Sequence, residues 1–242
     1  MTDVLRQLAP TGKMRAAINF GNPVLAQKDL ATGEARGVSV AIAHELGRRL
    51  GVGVELVTFD AAGKVFEALK SGAWDVAFLA IDPKRATEIE FTAPYVIIEG
   101  SYMVPAGSPL RTIDDVDRPG VRIAVGNGSA YELYLSRTIK HAEIVKAPTG
   151  NEAIDMFLRD GLEVAAGVKS PLRKFAEHRR DLRVMDGRFM VIEQAIGTPR
   201  GRDAGARYLR VMIENLKASG FIAAGLAESG QHDAVVAPAA TA

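Results

Sequence analysis

Short apolar segments and amphipathic helical patterns alternate along this chain, and the alternation occurs twice. The first block has predicted strands at 14–20, 54–59 and 74–80 and predicted helices at 40–50, with Ser39 as N-cap, and at 64–70. The second block has predicted strands at 121–125, 144–146 and 164–168 and predicted helices at 130–140, 152–159 and 171–180. Such alternation is typical of parallel strands with helices on both faces.

Two long extended segments, 95–105 and 182–197, interrupt this rhythm. They predict two lobes joined by two crossover strands, with hinges near 102–105 and 193–197. Lobe 1 is expected to comprise residues 1–102 and 196–242, and lobe 2 residues 103–195. Predicted helices at 203–218 and 221–229 complete lobe 1, and the alanine-rich end is predicted to be a loose tail from about 232. The predicted fold class is α/β, with two mixed sheets flanked by helices.

Residues 71–95, SGAWDVAFLAIDPKRATEIEFTAPY, contain the most informative local pattern. An apolar run ends abruptly at Asp82-Pro83, Arg85 follows, and a second extended segment begins near Phe91. Open α/β sheets bind ligands at the carboxyl ends of their strands. A guanidinium at such a strand end can bind a carboxylate with two parallel hydrogen bonds, so Arg85 is a candidate ligand-binding residue.

A glycine-rich turn at 125–131, VGNGSAY, joins a predicted strand to a predicted helix. Backbone N–H groups at a helix N-terminus form an anion site, and Ser129 can either cap the helix or donate its hydroxyl to a ligand. A dinucleotide fingerprint is rejected, because Tyr131 occupies the position of the last glycine and the next strand ends in Lys146 instead of an acid.

Taken together, these segments resemble the family 3 periplasmic solute-binding proteins, the polar amino-acid-binding class of ABC importers. The resemblance covers about 14–230. Besides 71–95 it rests on GVSVAIAHELGRRLGVGVELV at 37–57, SPLRTIDDVDRPGVRIAVGNGSAYELYL at 108–135 and AIDMFLRDGLEVAAG at 153–167. It implies a type II periplasmic-binding fold and a monomer that captures a small anionic or zwitterionic solute and delivers it to a membrane permease. It implies no catalysis.

The resemblance also implies a ligand site. Arg85 of the first lobe and the Gly128-Ser129 turn of the second would hold the ligand carboxylate together. Further positions of the implied site are Asn22, Ala80, Tyr131, Val168 and, on the return crossover, Glu193.

This chain departs from the family pattern where an amino-acid ligand would place its α-ammonium. Amino-acid binders of the family carry an acid after the strand that is Val164–Val168 here, and the aligned position is Val168. The serine- or threonine-glycine element before the arginine is also absent, since the segment reads Phe78-Leu79-Ala80. An unpaired ammonium in a closed site costs several kcal/mol. The sequence therefore predicts a ligand with a carboxylate but no adjacent charged amine, unless Glu193 supplies the missing charge.

Composition excludes several other classes of function. The 242 residues include 30 basic and 29 acidic side chains, a formal charge of +1, which gives no support for nucleic-acid or membrane-surface binding. The chain has no cysteine, so disulfides and thiolate metal sites are excluded. Its four histidines lack the spacing of metal ligands. No metal or cofactor is expected, and no apolar run approaches the roughly 18 residues that span a bilayer.

Two alternatives remain open. An enzyme resembling the cyclohexadienyl dehydratases would need a carboxylic acid near the leaving group, and Glu132 and Glu193 are the candidates. A ligand-sensing protein is favoured if the chain is not exported. Residues 1–10 show neither the basic start nor the apolar core of a signal peptide, so the sequence is either a mature chain with an added methionine or a protein without a signal. The resemblance implies a periplasmic location, and a cytoplasmic one stays open.

Overall fold

The computed structural model describes residues 1–240, and the chain splits into two compact units. Unit 1 comprises residues 1–97 and 193–242, and unit 2 comprises residues 98–192. Two long strands, Val96–Pro105 and Met190–Pro199, each pass from one unit into the other. The predicted lobe boundaries and hinges lie in these same segments; that the units act as hinged lobes stays a prediction.

The helices and strands follow the predicted alternation. Up to the first crossover they are α1 (Thr2–Leu8), β1 (Lys13–Asn19), β2 (Gln27–Lys28), β3 (Ala35–Arg36), α2 (Val38–Leu50), β4 (Gly53–Phe59), α3 (Ala62–Glu67), β5 (Val76–Ala80), β6 (Ile89–Phe91) and β7 (Val96–Pro105). Next come β8 (Arg122–Gly126), α4 (Ala130–Thr138), β9 (Glu143–Ala147), α5 (Gly150–Arg159), β10 (Val164–Val168), α6 (Lys169–Ala176), β11 (Leu182–Val184) and β12 (Met190–Pro199). The chain continues with α7 (Asp203–Ala218), α8 (Phe221–Glu228) and β13 (Val235–Val236). Short 3-10 helices occur at Ala68–Ser71, Arg85–Thr87 and Ile113–Asp115.

Each unit has a parallel three-stranded centre with an antiparallel crossover strand beside it. In unit 1, β1 pairs in parallel with β4 and β5, and β12 pairs antiparallel with β5. In unit 2, β8 pairs in parallel with β9 and β10, and β7 pairs antiparallel with β10. The predicted mixed α/β architecture is confirmed.

The same arginine–carboxylate clamp fixes the parallel pairing in both units. In unit 1, Arg15 on β1 donates from Nε and Nη2 to Asp75, at 2.9 and 2.8 Å, and Asp75 immediately precedes β5. In unit 2, Arg122 on β8 donates from the same two atoms to Glu163, at 2.9 and 2.8 Å, and Glu163 immediately precedes β10. Bidentate ion pairs of this kind are geometrically specific, so each clamp sets the register between two neighbouring strands.

Several element boundaries differ from the sequence prediction. Ser39 is not the N-cap of α2, since the helix begins at Val38 after Gly37, and the Ser39 hydroxyl instead bonds to the buried Tyr95 hydroxyl at 3.1 Å. The helix predicted to reach Arg180 ends at Ala176. The extended segment predicted at 182–197 is two strands, β11 and β12. Prediction from the sequence missed α1, β2, β3 and β6, which are short.

The prediction of a loose C-terminal tail is wrong for the described part of that segment. Val235 and Val236 form β13 and pair with Ile97 and Val96 of β7. The N–H of the buried Ala237 donates to the Tyr95 carbonyl at 3.0 Å. This edge of β7 offers unpaired backbone groups, and a tail of small and β-branched residues satisfies them. Residues 241–242 of the predicted tail lie outside the described residues.

Candidate ligand-binding site

Arg85 of unit 1 is held at the carboxyl end of β5. The strand is buried throughout, and the turn after it is fixed by the Asp82 side chain, which accepts the Lys84 N–H at 2.8 Å. Arg85 opens the 3-10 helix Arg85–Thr87 and is only 1% exposed. Its Nη1 donates to the Ala80 carbonyl at 2.8 Å. A guanidinium presents five N–H donors in a planar fork, a shape that matches the two oxygens of a carboxylate.

Asn22 and Ala80 lie at the carboxyl ends of the neighbouring strands β1 and β5. Asn22 is buried and shapes the turn after β1, because its Oδ1 accepts the Val24 N–H at 3.3 Å and its carbonyl accepts from Leu25 at 3.1 Å. The buried Ala80 contributes its carbonyl to Arg85. In unit 1, the predicted residues Asn22, Ala80 and Arg85 therefore share one edge of the sheet, and only Arg85 brings a charge.

The glycine-rich turn of unit 2 is built as predicted, with Ser129 as the N-cap of α4. The Ser129 Oγ accepts the Glu132 N–H at 3.0 Å, so its cap role is confirmed. A side chain at position 126 would come within 2.7 Å of the Gly150 backbone nitrogen, which explains why the first residue of the turn is glycine. Burial raises the pKa of the Tyr131 hydroxyl, opposed by hydrogen bonds with the Ser129 side chain and the Gly126 backbone. Contact of Gly128, Ser129 or Tyr131 with a ligand stays a prediction.

Glu132 was not predicted to take part in this turn, yet its carboxylate organises it. Its Oε2 accepts the Gly128 N–H at 3.0 Å, and its Oε1 accepts the Ser136 hydroxyl at 2.6 Å and lies 2.7 Å from Lys146 Nζ. Burial would raise the pKa of Glu132, but the contacts with Lys146, Ser136 and Gly128 outweigh burial and lower it. An internal carboxylate therefore already occupies part of the anion site predicted at the start of α4.

Replacing Glu132 with alanine is expected to lower the free energy of unfolding by about 1–3 kcal/mol, because the hydrogen bonds that its buried carboxylate makes with Gly128 and Ser136 are lost. Urea denaturation measures the change. Glu152 is the matched control, since it occupies the same first-turn position of α5 but is exposed. Equal losses in Glu132→Ala and Glu152→Ala would contradict an organising role for Glu132.

The end of β10 carries no acid. Val168 is half-buried and precedes α6 without a side-chain cap. The next residue, Lys169, donates to Glu99 of β7 at 2.9 Å, and Arg188 donates to the same carboxylate at 2.6 Å. These two cations lower the pKa of Glu99. No local pattern predicts this cluster, because residues 99 and 188 are far apart in the chain and meet only through the strand pairing.

Glu193, the remaining predicted residue, is exposed on β12, and its backbone carbonyl accepts the Ile81 N–H at 2.9 Å. Its neighbour Gln194 is buried. A ligand contact by Glu193 stays a prediction, as does the joint action of Arg85 and Ser129, which belong to different units.

Comparison with known proteins places the chain among binding proteins. Residues 15–229 match the family model of the bacterial extracellular solute-binding proteins, family 3. No curated protein matches the sequence. A mutant of ArgBP from T. maritima has a TM-score of 0.80 at 19% identity, over 95% of this chain and 100% of that one. The amino acid ABC transporter substrate-binding protein AbpA from Streptococcus pneumoniae, bound to L-arginine, has a TM-score of 0.79 at 18% identity, over 92% and 96%.

A third similar structure bears on the enzymatic alternative. It is the ancestral amino-acid-binding protein AncCDT-1, a precursor of cyclohexadienyl dehydratase, with a TM-score of 0.76 at 20% identity, over 93% of this chain and 97% of that one. Identities this low concern the fold alone. They confirm the predicted type II periplasmic-binding fold.

Proposed function

Because this chain belongs to the bacterial extracellular solute-binding proteins of family 3, we propose that it is the substrate-binding component of an ABC importer and captures a small carboxylate-bearing solute. A solute-binding role follows from the family itself. The proposal goes further in three respects: the solute carries a carboxylate, the protein serves an ABC importer, and it is located in the periplasm.

The observation that carries the carboxylate is the burial of Arg85. The planar fork of a guanidinium matches a carboxylate bidentately, and a charge shielded from water attracts an opposite charge more strongly than one on the open surface. The side chain is fixed by the Ala80 carbonyl at a strand end, where open α/β sheets bind their ligands. Because this donor is already held in place, its side chain loses little conformational entropy when a ligand binds.

The absence of an acid at Val168 supports a ligand without an α-ammonium. Glu132 contacts the turn after β8 and Glu99 contacts the residue after β10, and each of these carboxylates already pairs with a lysine. An ammonium placed there would meet Lys146 and Lys169 as well. Solutes such as 2-oxo or hydroxy acids avoid that repulsion.

The family suggests that the partner is a membrane permease, to which the solute is delivered. Closure about the crossover segments would signal to the permease that the solute is bound. Within residues 1–240, no helix combines the length and the apolar character needed to cross a membrane. We place the protein in the periplasm by family membership.

The dehydratase alternative is less well supported by the chemistry of the candidate acids. A general acid must be protonated before it can donate. Glu132 has a lowered pKa and is bonded to Lys146, so it is a carboxylate at neutral pH. Glu193 is exposed on β12, and this position gives no support for a role at a reacting centre from which water is excluded.

A thermal-shift panel of matched compounds tests the proposal: each amino acid is compared with the 2-oxo acid and the hydroxy acid of the same carbon skeleton. Ligands stabilise by RT ln(1 + [L]/Kd), about 2.7 kcal/mol at a hundredfold excess over Kd. We expect stabilisation by oxo or hydroxy acids and little by the amino acids. Selective stabilisation by a free L-amino acid, lost in Glu193→Gln, would contradict the proposed ligand class and show that Glu193 supplies the missing charge.

A further inference from the structure

A groove on unit 2 lies between α4, the 3-10 helix Ile113–Asp115 and the residues that precede β12. Its volume is about 320 Å³, at the lower end of the range of roughly 300–1,000 Å³ in which proteins hold small molecules. All of its lining residues belong to unit 2. Apolar and charged side chains meet in the lining, which includes Ile113, Asp114, Asp117, Ile139, Arg188 and Phe189. The groove therefore has the size and the mixed chemistry of a site for a small organic ligand.

Tyr102 of β7 is a buried polar residue in this lining. Its side chain is only 2% exposed, and the groove is where it reaches the surface. The Tyr102 hydroxyl forms no hydrogen bond with any residue between 1 and 240. Burial raises the pKa of this hydroxyl, and the nearby Tyr134 and Asp117 raise it further, so it is a neutral phenol that can both donate and accept. Because a buried tyrosine hydroxyl normally has a partner, this one is available to a polar group of a ligand.

The three aromatic side chains of the lining are stacked. Phe189 lies between 4.4 and 6.1 Å from the others, measured between ring centroids, with Tyr102 the nearer and Tyr134 the more distant. Aromatic rings attract further rings and also cations, because the face of each ring carries partial negative charge. The aromatic set therefore favours a ligand that has a ring, a positive charge or both.

The charges of the groove favour a cation. Asp117 accepts backbone N–H groups, but its Oδ2 takes only that of Lys140, at 3.0 Å, and so keeps the capacity to accept from a ligand. Asp114 is exposed at the rim. Neither acid forms an ion pair with any residue of the described part of the chain. Arg188, the cation of the lining, has its Nη1 2.6 Å from Glu99, which offsets its charge.

We propose that this groove is a second binding site of the protein and that it binds a small protonated aromatic amine. The ammonium donates to Asp117 and to the Tyr102 hydroxyl, and the ring packs against Tyr134 and Phe189. Asp114 adds attraction at the rim, and the two acids repel carboxylates, so the solute captured at Arg85 is not the ligand of this groove. The competing explanation is a groove that holds only water, with water as the partner of Tyr102.

Calorimetric titration of the intact chain with three matched compounds tests the ligand class. They are 2-phenylethylamine, 2-phenylethanol, which replaces the ammonium with a hydroxyl, and 2-cyclohexylethylamine, which replaces the aromatic ring. The amine should bind with a Kd of about 1 mM or tighter, the range open to so small a ligand, and about tenfold or more tightly than the alcohol. The cyclohexyl compound should bind roughly two- to tenfold more weakly than 2-phenylethylamine, because it cannot stack.

Two substitutions locate the binding. Tyr102→Phe keeps the buried ring and removes only the hydroxyl, so it should weaken binding of 2-phenylethylamine by about three- to tenfold, the scale of one hydrogen bond. Asp114→Asn changes an exposed residue and should weaken it by about two- to fivefold, while binding of 2-phenylethanol stays the same. Tyr208→Phe on α7 and the exposed Asp155→Asn on α5 are the matched controls and should change neither affinity.

Fluorine NMR of protein labelled with 3-fluorotyrosine gives a readout that does not depend on the stability of a variant. The resonances of Tyr102 and Tyr134, assigned from the corresponding phenylalanine variants, should shift as 2-phenylethylamine is added. The resonance of Tyr208, which lies in unit 1, should stay in place.

The inference is overturned if 2-phenylethylamine shows no saturable binding, if 2-phenylethanol binds equally well, or if Tyr102→Phe and Asp114→Asn both retain the wild-type affinity. A shift of Tyr208 without one of Tyr102 would overturn it too, since the amine would then bind elsewhere. None of the three compounds carries a carboxylate, so each of these results leaves carboxylate capture at Arg85 untouched.

Discussion

Replacing Asp75 with alanine should lower the free energy of unfolding by about 3–5 kcal/mol, the cost of removing one partner from a buried charge cluster. The Asp75 side chain is fully buried and accepts hydrogen bonds from two arginines, Arg15 and Arg202. The same residue's backbone carbonyl accepts the Thr198 hydroxyl at 2.9 Å. Loss of the carboxylate would leave Arg15 and Arg202 without their shared anion and loosen the contact of β1 with β5, whereas the backbone bond with Thr198 would remain. Urea denaturation of wild-type and variant proteins measures the effect.

Glu163 provides a matched control for Asp75. It forms the same bidentate clamp with Arg122 in unit 2, but its side chain is 35% exposed and that of Arg122 is 38% exposed. Exposed ion pairs are worth about 0–1 kcal/mol, so Glu163→Ala should be the milder change. Equal losses of unfolding free energy in the two variants would contradict the claim that burial makes the Asp75 ion pairs more stabilising. A loss below about 1 kcal/mol in Asp75→Ala would contradict it as well.

The stability contributed by Asp75 should depend on pH in the acid range. Burial would raise the pKa of Asp75, but hydrogen bonds from Arg15 and Arg202 outweigh burial and lower it. A lowered pKa in the folded state means that the stabilisation is fully present above the unfolded value of about 3.9 and is lost as the pH falls through the folded value. The difference in unfolding free energy between wild type and Asp75→Ala should therefore be constant near neutral pH and shrink in acid.

Replacing Arg85 with alanine should weaken binding of the solute by about 2–5 kcal/mol, the range for truncating one partner of a buried charge pair. The guanidinium is buried at the strand end and fixed by the Ala80 carbonyl, so water cannot take its place without cost. Arg85→Lys should restore only part of the affinity, because an ammonium cannot reproduce the bidentate fork. Calorimetry with the carboxylate that stabilises the wild-type protein most gives both values.

Arg207 serves as the control for Arg85, because it is exposed on α7 of the same unit. Arg207→Ala should leave the affinity unchanged. If Arg85→Ala binds the solute as tightly as the wild type while remaining folded, Arg85 does not belong to the ligand site.

Local pattern was sufficient for most of the fold. The alternation of apolar strands with helical stripes locates the principal strands and helices, because each element carries its own periodicity. Ser39 shows the limit: a serine before an apolar stripe is a good N-cap in isolation, but here burial beside Tyr95 supplies a stronger partner than the helix end. The C-terminal strand β13 forms because β7 offers a free edge for pairing. The sequence of residues 235–236 does not predict that edge.

In the candidate site, too, some roles can be predicted from the local sequence and others cannot. Arg85 stands out in the sequence because it lies in the short turn after a buried strand, and its burial agrees with that signal. The cap by Ser129 is readable from the glycine-rich turn. A glutamate three residues after a serine cap has the spacing of a capping box, but Glu132 accepts from Gly128, one residue before the cap, so that pattern does not predict its actual partner. The Glu99, Lys169 and Arg188 cluster was not readable, because strand register alone brings these residues together.

The central claim is that this protein captures a carboxylate without an adjacent ammonium, and calorimetric titration with one matched pair tests it most directly. The pair is the 2-oxo acid that gives the largest thermal stabilisation and the L-amino acid of the same carbon skeleton, each titrated into the intact chain. We predict binding of one 2-oxo acid per chain, at least tenfold tighter than the amino acid, a difference of about 1.4 kcal/mol or more. Tighter binding of the amino acid would contradict the account, and so would no binding of either compound.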